Sequence, residues 1–317
     1  MDKIINCKCI CEKVIIWTND QTIILDPCEH IIHRKCMKDK SICPMCNTTV
    51  TKYYSEKDLK KLCETDKKYY QKYVDIISIK NPSYLTKTDM NKVISKMPKL
   101  IDLITKFMTL KGFDKTKELS EHMMTMLNTK LIVHGQDNIS TQRKIIISNH
   151  SSIVDHMVIS YLFRCGFLSS VAILKSYFGR LVTGIVPLLL LDRTKKENTV
   201  DRMKEYVSNV ESLCLYPEGM ITHPDTILRF RTGAFHTGHP IQPVVIKYDP
   251  VAYDSGIDAN VNKLLSADEL TIEVFVLPLE YPPFTPDKIE KIRRKMAKAG
   301  NMALSRVSNR DINENIN

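Results

Sequence analysis

The sequence predicts an α/β domain, with a central mixed sheet flanked by helices, that follows a helical connector and a small cysteine-rich N-terminal domain. Apolar runs alternate with helical patterns over residues 127–285, and this alternation is typical of α/β folds. Residues 51–126 are rich in Lys, Tyr and Met and poor in Gly, which favours helix. Most of the cysteines lie within residues 1–50, and residues 286–317 are expected to form a basic helix and a tail.

Seven short apolar runs between residues 127 and 285 are strand candidates. They are Leu131–His134, Lys144–Ser148, Val171–Leu174, Val186–Leu191, Leu213–Tyr216, Gln242–Tyr248 and Thr271–Val276. A basic helix is predicted over Asp287–Arg306, and the asparagine-rich end of the chain is expected to be disordered. A break between helices is expected at Asn81-Pro82, because the residue before a proline disfavours helix.

Composition narrows the classes of partner. The 317 residues suggest about two domains, and 43% of them are apolar, enough for a substantial core. The net charge of +10 suits nucleic acid, an anionic membrane surface or a polyanionic substrate. Because the lysines are dispersed and no basic patch is interleaved with aromatic residues, nucleic acid is not an expected partner.

The N-terminal cysteines are interleaved with histidines at a metal-binding spacing. From residue 28 the pattern is Cys28-x-His30-x2-His33-x2-Cys36-x6-Cys43-x2-Cys46. Thiolate and imidazole are the ligands of structural Zn²⁺, about four to a closed tetrahedral site. These six residues and two of Cys7, Cys9 and Cys11 give eight ligands, so the pattern predicts two structural zinc ions.

This pattern resembles the RING family, in its variant with histidine at the fourth and fifth ligands. The resemblance implies that the ligands interleave: Cys28, His30, Cys43 and Cys46 share one ion, and His33 and Cys36 share the other with two N-terminal cysteines. Cys11 matches the Ile-Cys ending of the family's first pair. Its partner is Cys7 or Cys9, and we favour Cys7 because the longer gap closes a less strained chelate. The family expects Cys-x2-Cys here, which neither spacing provides.

RING domains mostly bind a ubiquitin-conjugating enzyme through an apolar patch, so the resemblance also implies that partner. Ile10 and Pro44 match positions of the patch. The Trp that often precedes the seventh ligand is absent, and Asn47 stands where an Arg often activates ubiquitin. The alternative to a ligase is a structural zinc module that docks a partner.

A second group of candidate catalytic residues follows the apolar strand predicted over Lys144–Ser148. The sequence there continues Asn149-His150-Ser-Ser-Ile-Val-Asp155. Five helical steps of ~100° would separate the two side chains. They meet only if His150 precedes the helix, with Ser151 or Ser152 as its N-cap. Histidine titrates near neutral pH and can act as a general base, while a carboxylate on its other nitrogen sets the tautomer.

This stretch resembles the glycerolipid acyltransferases, because three further blocks follow in that family's order. They are Gly184-Ile185-Val186 with Asp192-Arg193, then Leu215-Tyr216-Pro217-Glu218-Gly219, then Pro240-Ile241-Gln242-Pro243-Val244. Between the last two lies Phe230-Arg231-Thr232-Gly233-Ala234-Phe235, another family feature. The ordered series identifies the segment far better than a single His-x4-Asp pair can.

The resemblance implies a reaction, in which His150 and Asp155 are the catalytic pair. An acyl group would move from acyl-coenzyme A, the co-substrate, to a free hydroxyl of a lysophospholipid or lysophosphatidic acid. The implied substrate-binding residues are Asn149, Arg193, Glu218, Gly219 and Pro243, with Arg193 on the acceptor's phosphate. Lysophosphatidic acid enzymes usually carry Glu-Gly-Thr-Arg, whereas this chain continues Glu218-Gly219 with Met-Ile. Residues 240–248 look closer to the lysophosphatidylcholine acyltransferase branch, which favours a lysophospholipid acceptor.

Membrane contact is expected to be peripheral. Neither a signal peptide nor an apolar run of the ~18 residues that span a bilayer is evident, so we expect a cytoplasmic protein on the cytosolic face of a membrane. Residues 97–113 form a basic amphipathic pattern with apolar residues at 100, 103, 104, 107, 108 and 110. This pattern fits a helix in the membrane interface and equally a helix packed on its own domain.

A second functional hypothesis belongs to another class: a RING-type ubiquitin ligase whose acyltransferase-like domain only binds lipid or targets the protein. The intact His150 and Asp155 pair, together with Glu218-Gly219, favours an active acyltransferase.

Overall fold

The computed structural model describes residues 11, 22–28, 30–55, 58–59, 61–62, 70–71, 73–75, 88–107, 112–152, 154–175, 180, 183–184, 186–192, 198–249 and 257–309. These residues fall into two compact units. The smaller unit combines the chain up to residue 81 with residues 225–229 and 303–317, and the larger unit comprises residues 82–224 and 230–302.

The smaller unit contains two short sheets. Strands β1 (Thr22–Asp26), β2 (Ile31–His33) and β3 (Lys52–Tyr54) form an antiparallel sheet with β1 in the centre. Its buried residues include Leu25 and Ile31, neither of which is exposed to solvent. Two strands from distant parts of the chain, β9 (Thr226–Arg229) and β12 (Ala303–Ser308), form a second, parallel sheet.

The larger unit is built on a seven-stranded mixed sheet. Its strands are β4 (Thr129–His134), β5 (Ile145–Ser148), β6 (Cys165–Ser170), β7 (Leu188–Leu191), β8 (Ser212–Leu215), β10 (Ile241–Asp249) and β11 (Leu270–Val276). Their order in the sheet is β4-β11-β10-β5-β8-β6-β7. Neighbours are parallel except β10 and β11. The predicted α/β fold with a central mixed sheet is therefore confirmed.

Helices pack on this sheet and close its core. They are α1 (Met90–Phe107), α2 (Phe113–Met126), α3 (Asp155–Leu162), α4 (Thr199–Asn209), α5 (Ile257–Ser266) and α6 (Pro286–Ala299). Helix α1 packs against α2 and α5, and α2 packs against α3. Buried side chains of the sheet, such as Phe167 and Val244, and of α3, such as Val158, share one apolar core.

One strand prediction was wrong. Val171–Leu174 lies in a short 3-10 helix over Val171–Lys175, and the preceding residues, Cys165–Ser170, form β6 between β7 and β8. The strand β6 was not predicted because it contains Gly and Ser residues, which are typical of loops. Gly166 is needed there because a Cβ would lie 2.1 Å from the Tyr206 hydroxyl, a close approach of the kind that glycine permits inside strands.

The predicted C-terminal helix ends earlier than expected. Helix α6 begins after Thr285, whose side chain accepts a hydrogen bond from Lys288 N, and ends at Ala299. Asn301 then adopts a positive φ of 49°, which ends helices readily. Residues 303–308 form strand β12 (Ala303–Ser308), which pairs in parallel with β9 (Thr226–Arg229) in the smaller unit. The tail from residue 310 lies outside the described residues.

The predicted amphipathic segment, residues 97–113, coincides with the second half of α1 only as far as Phe107, and residues 108–111 lie outside the described residues. Leu100 and Leu103 are buried, with 3% and 9% exposure, and Leu100 belongs to the core of the larger unit. Met90, Ile94 and Ile101 are instead exposed, by 52%, 65% and 58%. Among the described residues, no helix is both long and apolar enough to cross a bilayer.

Candidate active site

The His150 and Asp155 side chains meet at the carboxyl end of β5. His150 Nδ1 lies 2.8 Å from Asp155 Oδ2. His150 precedes α3 and Asp155 is its first residue, as the geometric argument required. The predicted N-cap was wrong: Val154 occupies that position, and no side chain caps it.

The backbone before α3 binds the same carboxylate instead. Ser151 N and Ser152 N donate to Asp155 Oδ2 over 2.9 Å and 3.0 Å, and Tyr248 Oη donates to Oδ1 over 2.5 Å. Asp155 is fully buried. A buried carboxylate is costly unless donors compensate it, and these four hydrogen bonds, counting His150, supply the compensation.

This arrangement determines the tautomer of His150. An ionised carboxylate can only accept, so Nδ1 carries the hydrogen in the neutral ring and Nε2 keeps its lone pair. The His150 side chain is 14% exposed, so the ring is largely removed from solvent. In this tautomer the lone pair of Nε2 is able to accept a proton.

Two aromatic side chains surround the imidazole, and neither was predicted. The Tyr216 ring stacks on it with a centroid distance of 3.9 Å and an interplanar angle of 10°. His156 meets it edge-on at 5.6 Å. Within the described part of the chain the buried Tyr216 hydroxyl has no hydrogen-bond partner, and burial raises its pKa well above the usual value. The sequence signals were the adjacency of His156 to Asp155 and the position of Tyr216 inside the third block.

The Asn149 amide binds backbone. Its Nδ2 donates to Ile246 O over 2.9 Å, and its Oδ1 accepts from Ile246 N over 2.8 Å. Asn149 is 1% exposed, and it extends the β5–β10 pairing beyond Ser148. Substrate binding by Asn149 stays a prediction, and the geometry assigns its amide to holding the loop on β10.

Glu218 holds the other side of the same loop. It is fully buried, and its two carboxylate oxygens accept from His150 N at 3.2 Å and from Thr222 Oγ1 at 3.1 Å. Thr222 N also donates to His150 O over 2.7 Å. Glu218 therefore positions the backbone of His150 through direct contact.

Gly219 brings an arginine beside this loop. It has a φ of +77°, and a Cβ there would lie 2.8 Å from Arg231 Nε, so only glycine fits easily. Arg231 N also donates to Pro217 O over 2.8 Å. A guanidinium thus lies next to the Glu218-Gly219 block, although the chain lacks the arginine that often follows that block.

The last two predicted substrate-binding residues are placed differently. Pro243 is buried within β10, opposite Ile147 of β5, where the missing N–H of proline leaves a gap in the ladder. Arg193 lies outside the described residues.

The cysteines and histidines of the smaller unit form two clusters. The ligand atoms of Cys28, His30, Cys43 and Cys46 all lie within 4.8 Å of one another, and those of Cys11, His33 and Cys36 form a second group. In a zinc–thiolate tetrahedron the sulfur atoms are about 3.8 Å apart, so both donor types and spacing fit a zinc ion. Cys7 and Cys9 lie outside the described residues.

Comparison with known proteins matches the segment that carries this site. Residues 130–247 match the family model described as Acyltransferase. The lysophospholipid acyltransferase LPEAT1 of Arabidopsis thaliana is 34% identical over 185 residues, which cover 50% of this chain and 45% of that protein. The lysophosphatidylcholine acyltransferase 2 of Danio rerio is 28% identical over 179 residues, which cover 51% of this chain and 32% of that protein.

The chain is also similar to a further curated protein and to a solved structure. A 1-acyl-sn-glycerol-3-phosphate acyltransferase of Saccharomyces cerevisiae is 29% identical over 136 residues, covering 39% of this chain and 45% of that protein. The crystal structure of the acyltransferase PlsC from Thermotoga maritima superposes with a TM-score of 0.48 and 17% identity, covering 60% of this chain and 78% of that one. The chain spans less than half the length of these curated relatives. Residues 130–247 thus resemble the Acyltransferase family, and lysophospholipid acyltransferases are among the proteins that this segment is similar to.

Proposed function

We propose that the protein transfers an acyl group from acyl-coenzyme A to a free hydroxyl of a lysophospholipid. The observation that carries this proposal is the 2.8 Å contact between His150 Nδ1 and Asp155 Oδ2 inside the acyltransferase-matched segment. The names of the relatives support the substrate class, since lysophospholipid and lysophosphatidylcholine acyltransferases are among them.

The reaction follows from the state of the imidazole. His150 Nε2 takes the proton of the acceptor hydroxyl as the oxygen attacks the thioester carbonyl, and Asp155 stabilises the imidazolium that forms. Collapse of the tetrahedral intermediate expels the thiolate of coenzyme A, which takes the proton from His150. Since the acceptor is itself the nucleophile, no acyl-enzyme is required.

The acceptor's phosphate needs positive groups close to this hydroxyl. Arg193 remains the candidate from the second block, and Arg231, packed against Gly219, is a further one. Arginine suits this role because its planar fork can donate two hydrogen bonds to a phosphate.

The direct test is acyl transfer from labelled acyl-coenzyme A to a panel of lysophospholipids and lysophosphatidic acid. We expect transfer by the wild type and by His122→Ala, which removes an exposed histidine of α2, and none by His150→Ala. Transfer retained by His150→Ala, or absent from the folded wild type, would contradict the proposal. Binding of lysophospholipid without turnover would favour the alternative, a lipid-binding module attached to a ligase.

We also propose that the smaller unit binds two zinc ions as a RING-type domain. Cys28, His30, Cys43 and Cys46 would hold one ion, and Cys11, His33 and Cys36 would hold the other with Cys7 or Cys9. Burial raises the pKa of Cys28 to about 12, whereas hydrogen bonding to Thr48 lowers the pKa of Cys46 to about 6. A bound zinc ion would stabilise both residues as thiolates. Zinc supplies structural cross-linking there.

A ubiquitin-conjugating enzyme is the proposed partner of this domain. Ile42 and Met45, beside the zinc ligands, are 43% and 38% exposed, as an apolar docking patch requires. Autoubiquitination in the presence of such an enzyme is the test, with loss expected for Ile10→Ala. Ile10 lies outside the described residues, and unchanged activity in that variant would contradict docking through the patch position that the RING resemblance implies there.

Peripheral contact with the cytosolic face of a membrane completes the proposal, and α1 supplies the contact surface. Met90, Ile94 and Ile101 lie within about 40° of one another around the helix axis, and all three are exposed. Liposome co-sedimentation should weaken in Ile94→Glu with Ile101→Glu but not in Ser95→Glu, an exposed polar position of α1. Equal binding by all three proteins would refute this surface.

A further inference from the structure

We propose that Tyr248 is a positioning residue of the acyl-transfer site, which acts through Asp155 to keep His150 neutral and able to accept a proton. This inference rests on the proposed function, because it concerns how the base of that reaction is kept ready. Tyr248 is nearly buried, with 7% exposure, and its Oη donates to Asp155 Oδ1 over 2.5 Å.

Strand β10 holds both ends of the loop that carries the catalytic pair. At one end, the backbone of Ile246 binds the Asn149 amide, next to His150. At the other end, Tyr248, two residues further along the strand, binds Asp155. Both ends of the loop are thus hydrogen-bonded to a central strand of the sheet. A rigid strand of this kind holds a catalytic pair in a fixed geometry.

The two carboxylate oxygens of Asp155 accept hydrogen bonds from different donors. Oδ2 accepts from His150 Nδ1 and from the backbone of Ser151 and Ser152, whereas Tyr248 is the donor that binds Oδ1. A carboxylate with an uncompensated oxygen in this buried site would stabilise the imidazolium more strongly, since an opposite charge favours the charged form. A histidine that is already protonated cannot act as a base, so the phenol opposes premature protonation.

The other titratable groups around the pair do not replace this effect. Cys214 of β8 and Tyr216 face Asp155, and burial raises the pKa of both well above their usual values, so they remain neutral. His156 of α3 touches the edge of the His150 ring, and Glu218 binds the backbone N–H of His150. Burial, followed by the charge and hydrogen bond of Asp155, also raises the pKa of Tyr248 well above its usual value. The phenol therefore stays a proton donor around neutral pH.

The test is the NMR titration of the His150 imidazole in the full chain, with its resonances assigned through His150→Gln. In Tyr248→Phe we expect the titration midpoint to rise by about half a pH unit or more. The acid limb of the kcat/KM profile should move by the same amount. Tyr161→Phe removes a phenol hydroxyl further along α3, from a ring that lies against Lys117, and should leave the midpoint unchanged.

A second variant keeps the proposal testable if Tyr248→Phe does not fold. Replacing Tyr248 with 3-fluorotyrosine makes the phenol a stronger donor, so the His150 midpoint should fall. A midpoint that stays constant or moves in the opposite direction in either protein would overturn the proposal. The titration needs no substrate, so it tests the role of Tyr248 independently of turnover. A wild type without acyl transfer would overturn the proposed reaction instead.

Discussion

The Asn149→Ala substitution tests whether Asn149, the residue before His150, holds the backbone of the site or binds the substrate. The amide makes two hydrogen bonds, to Ile246 N and to Ile246 O, over 2.8 Å and 2.9 Å. Both residues are 1% exposed. Alanine would leave two buried backbone groups without partners, at about 1–3 kcal/mol each. We therefore expect a loss of about 2–6 kcal/mol in the free energy of unfolding.

Urea unfolding followed by far-UV circular dichroism measures this loss. Asn138→Ala is the graded comparison, because Asn138 Nδ2 makes one hydrogen bond, to Val276 O, over 2.8 Å. It should cost about half as much as Asn149→Ala. If Asn149→Ala instead unfolds within about 0.5 kcal/mol of the wild type while its KM for lysophospholipid rises, the amide binds substrate and the structural reasoning is refuted.

Four further outcomes are expected. Asp155→Asn should lower turnover by about 10⁴-fold, with little change in the circular dichroism spectrum, because a neutral amide cannot stabilise the imidazolium that forms on His150. Tyr216→Phe should stabilise the protein by about 1 kcal/mol in urea unfolding, since its buried hydroxyl lacks a partner among the described residues; destabilisation would reveal a partner. Above about pH 10, where unfolded tyrosines lose protons, stability should fall, because burial raises the pKa of folded Tyr216 and Tyr248; either Phe variant should reduce the fall. Cys43→Ser should lower the zinc content measured by mass spectrometry from about two ions to one per chain, and a wild type without zinc would contradict the RING proposal.

Local spacing was enough to predict much of this protein. The alternation of short β-branched runs with helical patterns predicted the mixed α/β fold, because burial on both faces of a central sheet leaves a signature in consecutive residues. The spacing of the cysteines and histidines predicted two zinc ions, and the RING resemblance implied which ligands share each ion. The described ligand atoms group in those sets. The requirement that His150 precede its helix followed from the ~100° step of an α-helix.

Long-range packing decided the rest. The strand at Cys165–Ser170 was missed because its identity depends on pairing with β7 and β8 and on the approach of Tyr206. Residues 303–308 form a strand because they pair with β9, which lies more than seventy residues away in the sequence.

The contacts of His150 and Asp155 show the same difference between what local spacing and long-range packing determine. His150 and Asp155 are five positions apart, so elementary helix geometry could place them together. Tyr248 lies 93 positions from Asp155, and no local period connects them. Its contact exists because β10 pairs with β5 in the finished sheet, and only that pairing brings a phenol to the second oxygen of the carboxylate.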